Sequence, residues 1–429
     1  MLSTLKNAFK VPDLKKRIFM TLFLIAVYRL GSHIPVPGID AQAIQDKLNP
    51  NENSLLGFYD LISGGAIRNF SIFAMGVVPY INSSIIMQLL TVAIPYLEQL
   101  SKEGEEGRKK IQKYTRNVAV FLGFIQAYTT YVIIYNSGAL PNTSTFSFTT
   151  FLILLTLTTA STFLMWLGDV ITTKGLGNGI SLLIFVNIIS SLPQSIGSVA
   201  WLAQTGSVNL VQVLVFAVVF ILMIVAVIVM TLAERRITVQ YAGKTVGNKS
   251  FKGQTSHIPF NLTSTGVIAI IFAMSVMSFP KTIAGFFQGK WWSTWIISSK
   301  WSIFNEATAA YPIFYAILVI FFSWFYAEVT FKPEEMAENI YKSSGFIPGI
   351  RPGKPTAKHI SKVLLRVAII GGLFASVIAI SPIIVNEHTK FQGIKFGGTS
   401  ILILVNVALD TVRTLESQLV MRHYHGFLK

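Results

Sequence analysis

The chain has 429 residues, of which 52% are apolar or aromatic and only 13% are charged, and its formal net charge is +16. Soluble domains usually carry about 25% charged residues, so this composition excludes a water-soluble fold of this size. It also excludes disorder, because so apolar a chain would collapse. The sequence contains no cysteine, which rules out disulfides, thiolate metal sites and cysteine nucleophiles. The composition therefore predicts a polytopic helical membrane protein.

Apolar runs near 20 residues recur along the chain, and each is long enough to cross a hydrocarbon layer of about 30 Å. All of them are expected to be helices, because lipid offers no hydrogen-bond partner to the main chain. The first run is expected to be kept as a span, since it does not have the pattern of a cleaved signal peptide. The ten predicted spans are 18–36, 72–95, 117–135, 149–170, 180–199, 209–232, 263–282, 310–330, 361–382 and 399–415.

The distribution of Lys and Arg predicts the orientation of these spans. Twenty-six of the 35 basic residues lie at the two termini, in alternate loops and at the adjacent span ends, and seven lie on the other side. Because positive charge marks the cytoplasmic side, both termini are expected to be cytoplasmic. Two halves of five spans, 1–200 and 201–429, would run inverted relative to each other, because the number of spans per half is odd.

The predicted spans contain no Asp, Glu or Lys at a clear midplane position. An ion-coupled pump needs such groups at membrane depth. A secondary solute transporter with inverted repeats is therefore the weaker alternative, and it remains possible because some transporters bind neutral solutes. No Walker A loop, HExxH motif or paired catalytic group is visible in the sequence. We therefore expect no catalytic residue, no cofactor and no metal site.

The long connection between the first two spans is irregular. Two prolines and a glycine in IPVPGID (34–40) are expected to end the first helix. The stretch at 54–70 is apolar but too short to span, and Gly64 with Gly65 breaks it. Two interpretations stay open, namely a short helix folded back into the protein and a helix lying on the outer surface.

Two pairs of aliphatic residues share a helical spacing of four. Val77 with Ile81, and Ile180 with Ile184, each place two side chains on one helix face. Pro79 is expected to kink or loosen the second span. From spacing alone, such faces usually contact lipid or a neighbouring helix.

Two long loops on the side that carries most Lys and Arg are predicted to be ordered. The alternating ITVQY in loop 233–262 predicts a short hairpin arm. In loop 331–362, proline and glycine form a rigid framework that presents Arg351 and Lys354 outward. Such projections suit RNA phosphates or an acidic protein face. Retention charge on a solvated loop would explain the charge, but not a framework of this length.

Eight segments in one order resemble the SecY/Sec61 alpha family of protein-conducting channels, and the resemblance covers essentially the whole chain. The segments are RLGSHIPVPGID (29–40), SGGAIRNFSIFAMGVVPYINSSIIMQLL (63–90), EGEEGRKKIQKYTR (103–116), FLMWLGDVITTKGLGNGIS (163–181), ERRITVQYA (234–242), QTSHIPFNLTSTGVI (254–268), FIPGIRPGKPTAKHI (346–360) and FGGTS (396–400). The resemblance implies an all-α polytopic membrane fold, with two inverted five-helix halves around a central pore and a re-entrant plug helix. The implied function is passage of unfolded secretory polypeptides across a prokaryotic plasma membrane, with lateral release of transmembrane segments.

The resemblance also implies roles for particular residues. An aliphatic pore ring would consist of Val77, Ile81, Ile180, Ile184, Ile271 and Ile403. The plug, at about 55–66, would include Leu55, Leu56, Phe58, Leu61, Ile62, Gly64 and Gly65. Gln126 and Asn178 match polar positions of a lateral gate between spans two and three and spans seven and eight, and pairing them is expected to keep this gate shut. Partner docking would use Arg235, Arg236, Lys249, Arg351 and Lys354.

The implied partners are the small membrane subunits SecE and SecG, the SecA ATPase, the ribosome through its RNA, secretory polypeptides with their signal sequences, and the lipid bilayer. Three positions depart from the family pattern. Val77 stands where Ile is frequent, and Asn248 precedes Lys249 where a basic pair is frequent. Ala269 stands where many members have proline, so the seventh span is expected to be straighter.

Overall fold

A computed structural model describes most of the chain, and the predicted plug residues Leu55, Leu56, Phe58, Leu61, Ile62, Gly64 and Gly65 lie outside the described residues. The described ranges are 9–37, 39, 66, 70–136, 148–206, 208–241, 244–246, 249–251, 255–262, 266–286, 289–299, 301–305, 308–388 and 398–426.

Within these ranges the structure is mainly helical. The helices are α1 (Pro12–Gly31), α2 (Val78–Ala93), α3 (Pro95–Lys102), α4 (Glu105–Asn136), α5 (Phe148–Lys174), α6 (Gly179–Gln204), α7 (Leu210–Leu232), α8 (Gly266–Phe286), α9 (Trp291–Ser298), α10 (Ala310–Phe331), α11 (Pro333–Lys342), α12 (Lys354–His388) and α13 (Gly398–Gly426). The strands are β1 (Glu234–Tyr241), β2 (Lys244–Val246), β3 (Lys249–Phe251), β4 (Thr255–Asn261) and β5 (Gly345–Phe346). Each of the ten predicted spans overlaps one long helix.

Several of these helices meet the length and hydropathy expected of a membrane span. Six do so among the described residues, and a seventh is reached when α2 and α3, which meet at an angle of 99°, count as one bent span. Helix α7 is the most apolar, with a mean hydropathy of 3.5 and only 6% of its most apolar window buried in the protein. A helix that is apolar all round and yet exposed faces lipid, so the chain is a multi-pass membrane protein.

The beginning of the second span differs from the prediction. Helix α2 begins at Val78 instead of residue 72, and Pro79 lies in its first turn. Proline is well tolerated there because the first N–H groups of a helix have no partner inside the helix. The predicted kink at Pro79 is therefore wrong, since this proline starts the helix. As a result α2 is only 16 residues long.

The predicted hairpin arm in loop 233–262 is confirmed. Strand β1 pairs antiparallel with β4, with Ile237 opposite Ile258, and β5 pairs with the other edge of β1. Alternate residues of β1 point into a small core that includes side chains of α11 and α12, among them Ile340 and Ile360. This core fixes the sheet to the ends of two spans, so the sheet and α11 form a firm base on one side of the membrane, called here the sheet side.

Within each half, the spans approach closely at small residues. A Cβ atom on Gly179 would lie 2.0 Å from the carbonyl oxygen of Gly168, so α5 and α6 meet nearly backbone to backbone. Buried hydroxyls add cross-helix hydrogen bonds, as where Ser323 Oγ donates to the Ala368 carbonyl at 3.0 Å. Such contacts are the usual means of helix association in lipid, where apolar side chains gain little from leaving it.

The Gly168–Gly179 contact gives a direct test of this packing. We expect Gly179→Ala to lower the free energy of unfolding by about 1–3 kcal/mol, because the new methyl group meets backbone that cannot rotate away. The measurement is the midpoint of thermal unfolding of the purified protein in mild detergent. Gly197→Ala is the matched control in the same helix, since an added Cβ there meets nothing within 4 Å. Equal midpoints for the two variants would contradict the prediction.

Candidate functional site

The six aliphatic residues of the predicted pore ring come together in one hydrophobic cluster. Three of them are buried members of this cluster, and the other three are partly buried and pack against it. The buried residues are Val77, Ile184 and Ile403, and the partly buried ones are Ile81, Ile180 and Ile271. Residues from both predicted halves thus share one apolar interior. Their role as a pore ring stays a prediction.

All six residues lie at or near the starts of their helices. Val77 is the N-cap residue of α2, and the Ile81 N–H donates to its carbonyl at 3.1 Å. Ile180 lies in the first turn of α6, and Ile271 and Ile403 each lie in the second turn of α8 and α13. Because a helix rises about 1.5 Å per residue, residues this near a helix start lie within roughly 10 Å of that end. Val77, at the start of α2, thus shares one cluster with residues near the starts of α6, α8 and α13.

A side-chain hydrogen bond joins α2 to α8 beside the cluster, and the line between these two helices is called here the seam. Ser275 Oγ on α8 donates to Asn82 Oδ1 on α2 at 3.2 Å, between residues 193 apart in sequence. Asn82 directly follows Ile81, so the polar contact adjoins the aliphatic cluster. Sequence reasoning missed this pair, although an Asn and a Ser inside two apolar spans are the signal that would have pointed to it.

The two predicted gate amides are not paired with each other. Asn178 caps the start of α6, where its Oδ1 accepts hydrogen bonds from the N–H groups of Ile180 at 3.1 Å and Ser181 at 3.2 Å. Gln126 is half-buried in the middle of α4, and no hydrogen bond joins it to Asn178 in the described part of the chain. The expected pairing is therefore wrong for this conformation, because Asn178 satisfies a helix terminus instead.

Asn178 also borders a polar cavity on the sheet side of the cluster. The cavity has a volume of about 520 Å³ and lies among the start of α6, the end of α7, the start of α8 and the middle of α13. Its polar lining residues include Asn178, Ser181, Asn406, Asp410 and Arg413. Because Ser181 follows Ile180 and Asn406 lies one turn after Ile403, the polar lining adjoins the predicted pore-ring residues. Val267, Ile268 and Val407 of the same hydrophobic cluster also line the cavity, so polar and apolar side chains share its wall.

The predicted docking residues lie on the sheet side and differ in their surroundings. Arg235, Arg351 and Lys354 are exposed, whereas Arg236 forms a salt bridge with Glu234. Lys249 lies in β3, for which only the backbone is described.

The turn that carries Arg351 is firmly built. Gly349 and Gly353 have φ values of +81° and +94°, which side chains resist, and Thr356 Oγ1 donates to the Arg351 carbonyl at 2.9 Å. The Arg351 side chain therefore projects from a fixed backbone.

A groove of about 880 Å³ with residues of both charges lies between α3, α11 and the start of α12. Lys102 Nζ lies 2.7 Å from Glu98 Oε1 on α3, and Lys332 Nζ lies 3.2 Å from Glu335 Oε1 at α11. The hydrogen bond from Lys102 lowers the pKa of Glu98 from its ordinary value. The groove is therefore lined by ion pairs together with apolar side chains such as Ala337 and Ala357.

Comparison with known proteins places these features in a family. A family model described as SecY matches residues 71–412 of the chain. The protein translocase subunit SecY of Streptomyces coelicolor is 40% identical, and the matches cover 100% of both chains. The protein translocase subunit SecY of Bacillus subtilis is 41% identical, again over 100% of both chains.

Solved structures agree on the fold. One described as a protein conducting channel has a TM-score of 0.64 at 17% identity, covering 94% of this chain and 92% of its own. Sec61 in the canine ribosome-channel complex has a TM-score of 0.60 at 16% identity, with the same coverage.

Fold and cluster together define a polytopic helical membrane protein built like a protein-conducting channel, and the predicted all-α fold is confirmed. The chain belongs to the SecY family. The division into halves at residue 200 stays a prediction.

The contact between Asn82 and Ser275 can be tested by crosslinking. Because the chain has no cysteine, Asn82→Cys with Ser275→Cys creates the only pair of thiols. We expect a short bifunctional thiol reagent to join α2 to α8 in membranes, as judged by gel mobility after a proteolytic cut between the two helices. Ser84→Cys with Ser275→Cys is the control, because a shift of two residues turns the thiol to the other side of α2. Equal yields from both pairs would refute the contact.

Proposed function

We propose that this chain is the channel subunit of a protein translocase, through which unfolded polypeptides cross the membrane and from which apolar segments leave sideways into lipid. The observation that carries this proposal is the single aliphatic cluster to which Val77, Ile81, Ile180, Ile184, Ile271 and Ile403 all contribute. The names of the relatives, which are protein translocase subunits at about 40% identity over the whole chain, support it.

An aliphatic constriction suits this task for a physical reason. A fixed charge at the narrowest point would hold oppositely charged side chains and repel those of the same charge. Ile and Val offer water and ions no hydrogen bonds, so a narrow gap between them loses its water and blocks ions. Their side chains can also change rotamer around a passing polypeptide. The polar cavity beside Asn178 would receive the polypeptide before it reaches the cluster.

Lateral exit would use the seam between α2 and α8. A segment of about 20 apolar residues is more stable in the hydrocarbon layer than in a wet passage, whereas a polar segment is not. The Asn82–Ser275 hydrogen bond closes the seam at the depth of the cluster. Interhelical hydrogen bonds of this kind average about 0.6 kcal/mol in a membrane protein, so the bond can hold the resting state without preventing opening. Gln126 remains a proposed gate residue, on the neighbouring α4.

The sheet side is proposed to be cytoplasmic and to receive the partners that drive transport. The sequence shows no nucleotide-binding motif, so the driving energy would come from a translating ribosome or from the SecA ATPase. Arg235, Arg351 and Lys354 are exposed there, with Arg236 and Lys249 as further proposed contacts. Two of the solved structures with this fold are described in complexes with ribosomes. We further propose SecE and SecG as membrane partners.

We assign the protein to the inner membrane of a prokaryote, with both termini in the cytoplasm. The excess of Lys and Arg at the termini and in the loops on the sheet side supports this orientation. The segment near 55–66 is proposed to act as a plug that closes the passage from the opposite side. No catalysis is proposed for this chain.

A secondary solute transporter is less well supported. Such a protein needs a site at mid-depth that holds a solute or a coupling ion by polar or charged groups. The described interior at that depth is the aliphatic cluster, and the polar cavity lies to one side of it.

The proposed passage is tested by asking which residues touch a polypeptide in transit. Single cysteines at Ile81 or Ile271 should crosslink to a cysteine in a secretory chain that is stalled partway through the membrane. Val218→Cys is the control, because this residue of α7 is 55% exposed on the lipid-facing surface. Reaction at Val218 but not at the other two positions would exclude a passage through the cluster.

The docking role of Arg351 is tested by reversing its charge. Arg351→Glu should reduce translocation by on the order of tenfold or more, because like charges facing each other across an interface cost several kcal/mol. Thermal unfolding and membrane insertion should stay unchanged, since the side chain is exposed. Lys110→Glu, on the exposed start of α4, is the control for net charge and should translocate nearly as the unchanged protein does. Equal activities of the two variants would remove Arg351 from the docking role.

A further inference from the structure

Tryptophan is concentrated at one place in this chain. Of its seven Trp residues, four fall within eleven positions, and all four lie in or just after the short helix α9. They are Trp291, Trp292, Trp295 and Trp301. Helix α9 follows α8 at the end opposite the sheet and precedes α10, which returns toward the sheet. None of the roles proposed above uses it.

The outward face of α9 is aromatic and unprotected. Trp291 and Trp301 have 83% and 86% of their surface exposed, and Trp295, one helical turn after Trp291, has 44% exposed. Lys290, which is also exposed, caps the start of the helix. So much exposed indole on a helix of eight residues would be unfavourable in water, because each Trp presents a large apolar area.

The inward face of α9 is fixed to α8. Ser293 is 1% exposed, and its Oγ donates to the Ala284 carbonyl of α8 at 2.7 Å. Helix α8 also carries Ile271 of the aliphatic cluster and Ser275 of the seam. The hydrogen bond from Ser293 thus attaches α9 to the helix that borders the seam.

The ends of α8 and α10 mark the level of α9 relative to the membrane. Lys281 Nζ lies 4.9 Å from the centre of the Tyr311 ring, and a cation beside a phenol is typical of the level at which helices leave the hydrocarbon layer. Exposed apolar side chains of the same two helices, Phe279 and Ile313, continue from that level into the span. The exposed indoles of α9 thus border a surface that is already in contact with lipid.

We propose that α9 lies in the lipid headgroup region opposite the sheet, with Trp291, Trp295 and Trp301 inserted among the lipids, and that it anchors the end of the seam helix α8. The partner is lipid, because the aromatic face continues the lipid-exposed surface of α8 and α10. Indole rings with an N–H at one edge favour this region, and Lys290 is placed to meet lipid phosphates. The effect on the seam rests on the proposed function, whereas the position of α9 does not.

The position is tested with nitroxide labels, for which the natural absence of cysteine makes single sites simple to prepare. Trp291→Cys and Trp301→Cys are labelled in vesicles of phosphatidylcholine and phosphatidylglycerol, and collision rates with oxygen and with a water-soluble nickel chelate give the depth. Glu338→Cys on α11 serves as the control in water, and Val218→Cys on α7 as the control in hydrocarbon. We expect depths between the two controls. Depths equal to either control would overturn the assignment.

The anchoring effect is tested with the Asn82→Cys and Ser275→Cys pair, whose crosslinking needs no transport. Replacing Trp291, Trp295 and Trp301 by Ser should slow this crosslinking roughly twofold or more, because Ser has no preference for the interface and α9 would no longer hold the end of α8. Replacing the same residues by Tyr, which also favours the interface, should restore the rate. An unchanged midpoint of thermal unfolding shows that the Ser variant still folds. Trp201→Ser, at the exposed end of α6, should have no effect. An unchanged or faster rate in the Ser variant would overturn the anchoring role.

Discussion

Apolar side chains gain little by leaving lipid for the interior of a membrane protein, and this constraint decides how the helices here are held together. Each half relies on contacts that lipid cannot replace. Gly179 lets α6 approach α5 at backbone distance, and the Ser323 hydroxyl joins α10 to α12 by a buried hydrogen bond. Between the predicted halves, the six aliphatic residues meet in one hydrophobic cluster, which in the described ranges offers no backbone-distance contact of this kind. The contacts within each predicted half are therefore of a different kind from those at this junction.

Among the residues that the structure describes, the seam between α2 and α8 is held by fewer polar contacts than the junction between α4 and α5. Its described polar contact is the hydrogen bond of 3.2 Å between Ser275 and Asn82. By contrast, α4 and α5 are joined by the Arg116–Asp169 salt bridge at 2.6 Å, to which Gln112 adds a longer hydrogen bond. Separating α2 from α8 breaks one neutral hydrogen bond and exposes aliphatic surface that lipid or an entering apolar segment can cover. Opening along this line is thus less costly than opening within a half.

The number of spans could be predicted because one rule, the match between apolar length and bilayer thickness, governs every span. The hairpin arm was predictable for a similar reason, since alternation along β1 is local. The start of α2 could not be predicted. Residues 70–77 are mostly apolar but not helical, because contacts with other parts of the fold set their conformation, and hydropathy carries no information about such contacts. The Asn82–Ser275 contact joins residues 193 apart, which no local pattern can reveal. The capping role of Asn178 had a visible signal, since Asn before a helix start commonly accepts from the first N–H groups.

The pairing of charges in the described part of the sheet side leaves a few exposed basic residues without an acidic partner. Several acids of this side pair with a neighbour in sequence, as in Glu234 with Arg236 and Glu338 with Lys342, and exposed pairs of this kind add little stability. The surplus positive charge is left on residues such as Arg351, whose side chain has no acidic partner among the described residues. The two left-handed glycines beside it fix its backbone, so that a partner spends less conformational entropy in binding. The proposed docking at this fixed surface would then be selective, whereas the proposed passage through the aliphatic cluster would accept many different polypeptides.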